Sequence, residues 1–306
     1  HPKFIFGGVT AGVGSYGNNM GIPTVNGAIY FDEGYVGNPL VYCGCIGLLP
    51  KDKFVKNIKP DDVLVIAGGK TGRDGIHGVT FASLELTKES EVFRPAIQIA
   101  DPIQQEKLQR AILEIRNKKL ASAITDLGGG GISCGSCELA YHAGCGVSVF
   151  LDAVPLRQKD LTPWEIFVSE SQERMLLTVP DENLTKVLDI FADEDVDASP
   201  IGKFIEGKKV IIKYRGVQVG DLDLEFLFNP RDTTKKAVWQ EQKYTEPAFE
   251  EPEDLNEVLL KLLSQPNIAS KESVIRTYDH EIKGNTVIKP LHGEFQGPND
   301  ATVLKP

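Results

Sequence analysis

Five glycines fall within eleven residues at Gly68-Gly69-Lys70-Thr71-Gly72-Arg73-Asp74-Gly75-Ile76-His77-Gly78. Glycine lets a backbone come close to a ligand, and such a loop costs conformational entropy while packing no core. Lys70, Arg73, Asp74 and His77 bring charge and proton-transfer groups to the same stretch. That combination suits a phosphorylated ligand, with His77 as a phosphate contact or a proton donor. It is not a Walker A loop, because Gly-Gly-Lys-Thr lacks the preceding glycine spacing.

Three further places carry chemical potential. Asp126 ends an apolar run and is followed by Leu127 and four glycines. A carboxylate at the end of a strand, beside a flexible loop, is a common way to present Mg2+ to a phosphate. The same carboxylate could instead cap a helix starting near Ser133. Ser169-Glu170-Ser171-Gln172 places four polar residues between two apolar elements. It offers hydroxyls, an amide and a carboxylate to a sugar, amide or phosphate, or it is an ordinary polar loop. Gln98 sits in the apolar run Ala96-Ile97-Gln98-Ile99-Ala100, which reads as a strand. A buried amide there needs a partner, from the backbone or from a ligand. Cys134-Gly135-Ser136-Cys137 has a metal-like spacing but no second pair at zinc-site distance.

The elements that must position these residues alternate. Val63–Ala67 reads as a strand and Pro102–Leu120 as a helix, with apolar residues at Ile103, Leu108, Ala111, Ile112 and Ile115. Ser122–Asp126 is a strand, Cys134–Ala143 a helix and Val147–Leu151 a strand. Thr162-Pro163-Trp164-Glu165 is a helix start, with a capping threonine, proline at the first position and glutamate three residues after the cap. Met175–Val179, Glu182–Phe191, Ala198–Phe204 and Lys209–Tyr214 give a βαββ run resembling half of a ferredoxin-like unit. Residues 59–228 therefore read as one α/β domain, with a boundary near residue 58. Before it, Phe4–Phe6, Ala28–Phe31 and Leu40–Leu49 read as strands joined by turns. After it, 229–272 is a polar, acidic linker with one amphipathic helix carrying Leu255, Val258, Leu259, Leu262 and Leu263. Residues 273–306 start something new, with strands at Thr286–Ile288 and Ala301–Leu304 that need partners from elsewhere.

The 306 residues are 41% apolar, enough for a core, and carry a formal charge of -10. That charge argues against non-specific binding to nucleic acid or an anionic membrane. No apolar run approaches the ~20 residues of a membrane span. The odd count of five cysteines reads as reduced thiols and a cytoplasmic location. The chain opens on His1 rather than Met, with its glycine pattern already under way, and reads as a piece of something longer.

Taken in order, the motifs resemble one family. They are Gly14-Ser15-Tyr16-Gly17-Asn18, Gly21-Ile22-Pro23-Thr24-Val25, Asn38-Pro39-Leu40, Gly72 through Gly78, Thr125-Asp126-Leu127-Gly128, and Ser169-Glu170-Ser171-Gln172-Glu173-Arg174-Met175. Together they are similar to phosphoribosylformylglycinamidine synthase, in its small-type synthetase subunit. The likeness runs from Gly7 to about Phe228 and resumes at Tyr278-Asp279-His280. The Ile22-Pro23-Thr24 segment favours the small type over the fused enzyme that carries its own glutaminase.

The resemblance implies an AIR-synthase-like α/β (α+β) fold, each half holding an N-type domain followed by a C-type domain. Residues 1–58 would be the tail of the first N-type domain, 59–228 its C-type partner, 229–272 the linker and 273–306 the start of the second half. The implied reaction is ATP-dependent amidation of formylglycinamide ribonucleotide, with glutamine-derived ammonia, in purine biosynthesis. A glutaminase subunit and a small bridging subunit are the implied partners. Gln98, Glu170, Ser171 and Gln172 match substrate-binding positions of the family, and Asp126 matches a magnesium aspartate. Arg73, Asp74 and His77 inherit no single-residue role and stay candidates for the nucleotide on their chemistry. The family's catalytic histidine and ATP contacts would precede His1, so residues 1–306 alone are expected not to turn over and to act at most as a substrate- and Mg2+-binding module. Four glycines at 128–131 replace the family's usual alanines. Another enzyme of the superfamily, such as AIR synthase or a selenophosphate synthetase, fits the Ser-Glu-Ser-Gln segment and the linker less well.

Overall fold

The computed structural model describes residues 2–37, 39–53, 56–76, 87, 89 and 97–305. His77, Gly78, Asn38 and Ala96 lie outside the described residues.

The centre of the fold is β1, Val63–Gly68, six buried residues in a row. Strand side chains alternate in direction, so an all-apolar strand can feed two cores. Leu64 and Ile66 join one cluster, while Val63, Val65 and Ala67 join the other. Helix α2 (Pro102–Asn117) buries Leu108, Ala111 and Ile115 on one face, and Asp101 caps it by accepting from the Gln104 N–H at 3.0 Å. Strand β2 (Ala123–Asp126) follows, then α3 (Gly131–Ala143), β3 (Gly146–Phe150) and α4 (Pro163–Val168). The predicted start of α4 is present: the Glu165 carboxylate reaches back to the Thr162 N–H at 2.7 Å and its hydroxyl at 2.8 Å. Strand β4 (Arg174–Val179), α5 (Leu184–Asp193), β5 (Ala198–Ile205), β6 (Lys209–Tyr214) and β7 (Val217–Asp223) complete the sheet elements.

These seven strands form one sheet in the order β2-β4-β1-β5-β3-β6-β7. Helices α2 and α5 pack on one face through Leu108, Ile115, Val187 and Phe191. Helices α3 and α4 cover the other through Ile132, Leu139, Ile166 and Phe167. Each large buried side chain, such as Phe191 or Phe204, contributes about 1.5–3 kcal/mol of burial free energy.

The first three elements of the βαββ run, β4, α5 and β5, form half of a ferredoxin-like unit, but the fourth, β6, does not belong to it. Strands β5 and β6 are not neighbours, because β3 lies between them, antiparallel to β5 and parallel to β6. The unit is β1-α2-β2-β4-α5-β5, with β4 and β5 both antiparallel to β1 and β2 on the outside. Run 97–100 is not a strand; Ile97 and Ile99 are exposed.

The flanking segments differ from expectation. Pro2–Met20 is helix α1 rather than strand and turn. Its glycines suggested turns, but the helix is held by packing against α2 and by side-chain contacts to the sheet domain. Residues 28–31 and 40–49 form no strand. Near the far end, Thr286–Ile288 (β8) and Val303–Leu304 (β9) pair with each other, so the chain itself supplies their partners. This part sits against the first: Thr24 N–H donates to the Asp279 carbonyl at 2.9 Å, and a His280 ring nitrogen meets the Thr24 carbonyl at 2.7 Å. The stretch 229–272 contains the expected amphipathic helix, α6 (Leu255–Leu263), with its leucines largely exposed.

Candidate functional site

The sheet brings three loops to one edge. Strand β4 runs antiparallel to both neighbours, and its first residue, Arg174, pairs with Gly68 at the end of β1. Its second residue, Met175, pairs with Asp126 at the end of β2. The glycine loop after β1, the glycine run after β2 and the polar segment before β4 therefore leave the sheet at the same place.

Side chains lock the first and third loops together. The Ser171 hydroxyl donates to the Asp74 carboxylate and accepts from the Gly72 N–H at 2.9 Å. Ser169 donates to the Gly72 carbonyl at 2.7 Å, and Glu170 N–H donates to the Asp74 carbonyl at 2.8 Å. Asp74 is 2% exposed, and its charge is met by Arg157 Nη2 at 2.6 and 2.7 Å. Arg73 turns the other way, to Glu165 at 2.8 Å and the Asp160 carbonyl at 2.7 Å. The arginine holds the Glu165 carboxyl below the usual range. Arg73 and Asp74 are thus committed to anchoring the loop, and Ser171 is fully buried with its hydroxyl turned inward.

Glu170 joins the second loop to this pair. One carboxylate oxygen accepts from the Gly130 N–H at 2.9 Å. The other stands 2.6 Å from where a side chain on Gly75 would begin, and Gly75 has φ +61°. Only glycine fits there without pushing Glu170 away. Asp126 stands exposed beside the same run, its Oδ2 3.1 Å from where a Gly128 side chain would begin. It does not cap α3, whose N-cap is Gly130 with no side-chain hydrogen bond. An exposed carboxylate is a suitable partial ligand for a hard cation that takes its other oxygens from water and phosphate. Among the described residues no three His, Cys, Asp or Glu side chains gather to hold a metal by themselves. Burial pushes the Cys137 thiol up to about 11, away from thiolate chemistry.

Gln98 satisfies its amide within the same cluster. Nε2 donates to Glu173 at 3.0 Å and Oε1 accepts from the Gln172 N–H at 2.6 Å. Gln172 is exposed, and its amide donates to the Glu170 carbonyl at 2.6 Å. Gln98, Glu170, Ser171 and Gln172 are thereby brought together, with Asp126 beside them across the glycine run.

Several members of the site carried no separate signal in sequence. Arg174 is 3% exposed and donates to the Ser171 carbonyl at 2.6 Å, the Ser169 carbonyl at 2.7 Å and Thr71 Oγ1 at 2.7 Å. Glu173 collects donors from Tyr16, Gln98 and Asp101. Both follow the polar segment directly and belong to the quoted motif, yet nothing in their spacing gave them roles. Tyr16 and Arg157 lie 157 and 83 residues from their partners.

A family model described as AIR synthase related protein, C-terminal domain, matches residues 59–215. The chain is 42% identical over 313 residues to phosphoribosylformylglycinamidine synthase subunit PurL of Thermoplasma volcanium, covering 100% of this chain and 41% of that protein. It spans about two-fifths of the length of the curated relatives it matches. Among solved structures it is similar to Thermotoga maritima PurL complexed with FGAR, with a TM-score of 0.67 and 32% identity over 82% of this chain and 42% of that one. The same enzyme complexed with ATP gives a TM-score of 0.62 and 28% identity over 82% of this chain and 40% of that one. No helix among the described residues is long and apolar enough to cross a membrane.

Proposed function

The chain belongs to the AIR synthase related proteins, and on that premise we propose that it supplies part of the site where formylglycinamide ribonucleotide is amidated with ATP and ammonia. In that reaction ATP phosphorylates the amide oxygen, ammonia attacks the activated carbon, and phosphate leaves to give the amidine. The chemistry needs positioning and charge neutralisation more than a covalent enzyme group.

Gln98, Glu170 and Gln172 hold the ribonucleotide, and Ser171 keeps their loop in place through Asp74 and Gly72. Asp126 takes Mg2+, which when bound neutralises phosphate charge. Arg73 and Asp74 serve the nucleotide indirectly, by fixing the loop backbone. The observation that carries this reading is the shared sheet edge at Gly68, Asp126 and Arg174. The similarity to PurL bound to FGAR and to ATP adds to it. The relative is itself a subunit, and a glutaminase and a bridging subunit, in the cytoplasm, are the partners proposed.

The test is an assay on the full protein that carries this chain, with Mg2+, ATP and an ammonium salt. ADP release is expected only when formylglycinamide ribonucleotide is present. Release at the same rate without it, or none with it, contradicts the proposal.

A further inference from the structure

Glu173 is placed at some cost. Its backbone has φ +54°, a left-handed conformation that is strained for a non-glycine residue. Its side chain is nearly buried, with 6% of the residue exposed. The three groups that donate to it are neutral. Tyr16 hydroxyl and Asp101 N–H reach Oε1 at 3.1 and 3.3 Å, and Gln98 Nε2 reaches Oε2 at 3.0 Å. Burial pushes its carboxyl above the usual range, against the pull of the Asp101 N–H and the Tyr16 hydroxyl. A strained, desolvated carboxylate without a cationic contact among these partners is expensive as mere scaffolding.

Its geometry does one definite thing to Gln98. A carboxylate only accepts, so Gln98 must turn Nε2 toward it; the Gln172 N–H only donates, so Gln98 must turn Oε1 there. Two separate constraints give the same amide orientation. The donor left over is the second Nε2–H, which calls for an acceptor oxygen on the ligand. We propose that Glu173 is a positioning residue that sets the Gln98 amide so that it donates to an oxygen of the ribonucleotide, and that Tyr16 of α1 ties this setting to the segment before the sheet. This rests on the reading of Gln98 as a ribonucleotide contact given above.

Glu173→Gln is the discriminating variant. It keeps the size, but one amide cannot accept on both ends. Its NH2 must face either Gln98 Nε2 or the Asp101 N–H, a donor against a donor. In the full protein, with thermal melting to check the fold, the KM for formylglycinamide ribonucleotide is expected to rise roughly tenfold, while the KM for ATP stays unchanged. Combined with Gln98→Ala, the double variant should be no worse than Gln98→Ala alone, since both changes remove one interaction. Additive losses, or an unchanged ribonucleotide KM in both Glu173→Gln and Glu173→Leu, which has no acceptor for Gln98 Nε2, overturn the proposal. If Gln98→Ala itself leaves that KM unchanged, the site reading fails and this proposal fails with it, which tells the two failures apart. Should Glu173→Gln not fold, Tyr16→Phe removes one donor from the same carboxylate. A rise of about threefold in ribonucleotide KM supports the link, and no rise refutes it.

Discussion

Arg174 and Thr71 lie 103 residues apart in the chain and 2.7 Å apart in space, guanidinium to hydroxyl. The same arginine holds two carbonyls of the polar segment, so one buried cation fastens the loop after β1 to the loop before β4. Burial pushes it down to about 10, which leaves it charged at neutral pH. Arg174→Met should strand those carbonyls, destabilising the fold by about 3 kcal/mol. The urea midpoint, compared with wild type, measures this. A change under about 1 kcal/mol would mean water replaces the arginine freely.

Gly68 has φ +112°, and a side chain on it would begin 2.1 Å from the Glu173 carbonyl oxygen. Gly68→Ala is expected to cost about 3 kcal/mol or more, from backbone strain plus a clash with main chain that cannot swing away. Gly144 also has a positive φ, +70°, but nothing stands within 4 Å. Gly144→Ala should cost only the left-handed penalty of about 1–2 kcal/mol. Denaturation of the two variants side by side separates crowding from conformation.

Glu165 is held in its ionised form first by its hydrogen bond to Arg73, helped by the Thr162 N–H and hydroxyl. Its folded pKa is depressed, so its stabilisation is present above the unfolded value of about 4.3 and lost as pH falls through the folded one. Glu165→Gln should therefore be less stable than wild type at pH 7, with the gap closing as pH drops below about 4. A gap that stays constant from pH 7 to pH 3 would assign the effect to packing.

Asp126→Asn removes the charge beside the glycine run without changing shape. Calorimetric titration of the full protein with ADP is expected to show at least about tenfold weaker binding with Mg2+ and the same binding without it. Equal loss in both conditions would take the metal away from Asp126.

Much of the framework was legible because burial on two faces and helix caps leave local marks. The all-apolar run at 63–67 marks the central strand, and Thr162-Pro163-Trp164-Glu165 marks a helix start. What local pattern cannot carry is adjacency. That β3 inserts between β5 and β6 depends on long-range pairing, so the sequence pattern shows β4, α5 and β5 of the ferredoxin-like unit but not that β6 lies outside it. Helix α1 leaves no helical mark in the sequence because five of its nineteen residues are glycine, and its stability comes from what it packs on. Gln98, Glu170, Ser171 and Gln172 stood out as polar residues among apolar ones. Tyr16, Glu173 and Arg174 did not, since their meaning lies in partners distant in sequence, and no spacing shows that Arg73 and Asp74 turn toward Glu165 and Arg157.

On this reading the loops at Gly68, Asp126 and Arg174 enclose one ribonucleotide site. The decisive measurement is a crystal structure of the full protein soaked with formylglycinamide ribonucleotide. The ligand should lie against Gln98, Gln172 and the 128–131 glycine run, with an oxygen facing Gln98 Nε2. A ligand seated elsewhere, for instance in the cavity lined by Tyr141, His142 and Lys208, would contradict the account.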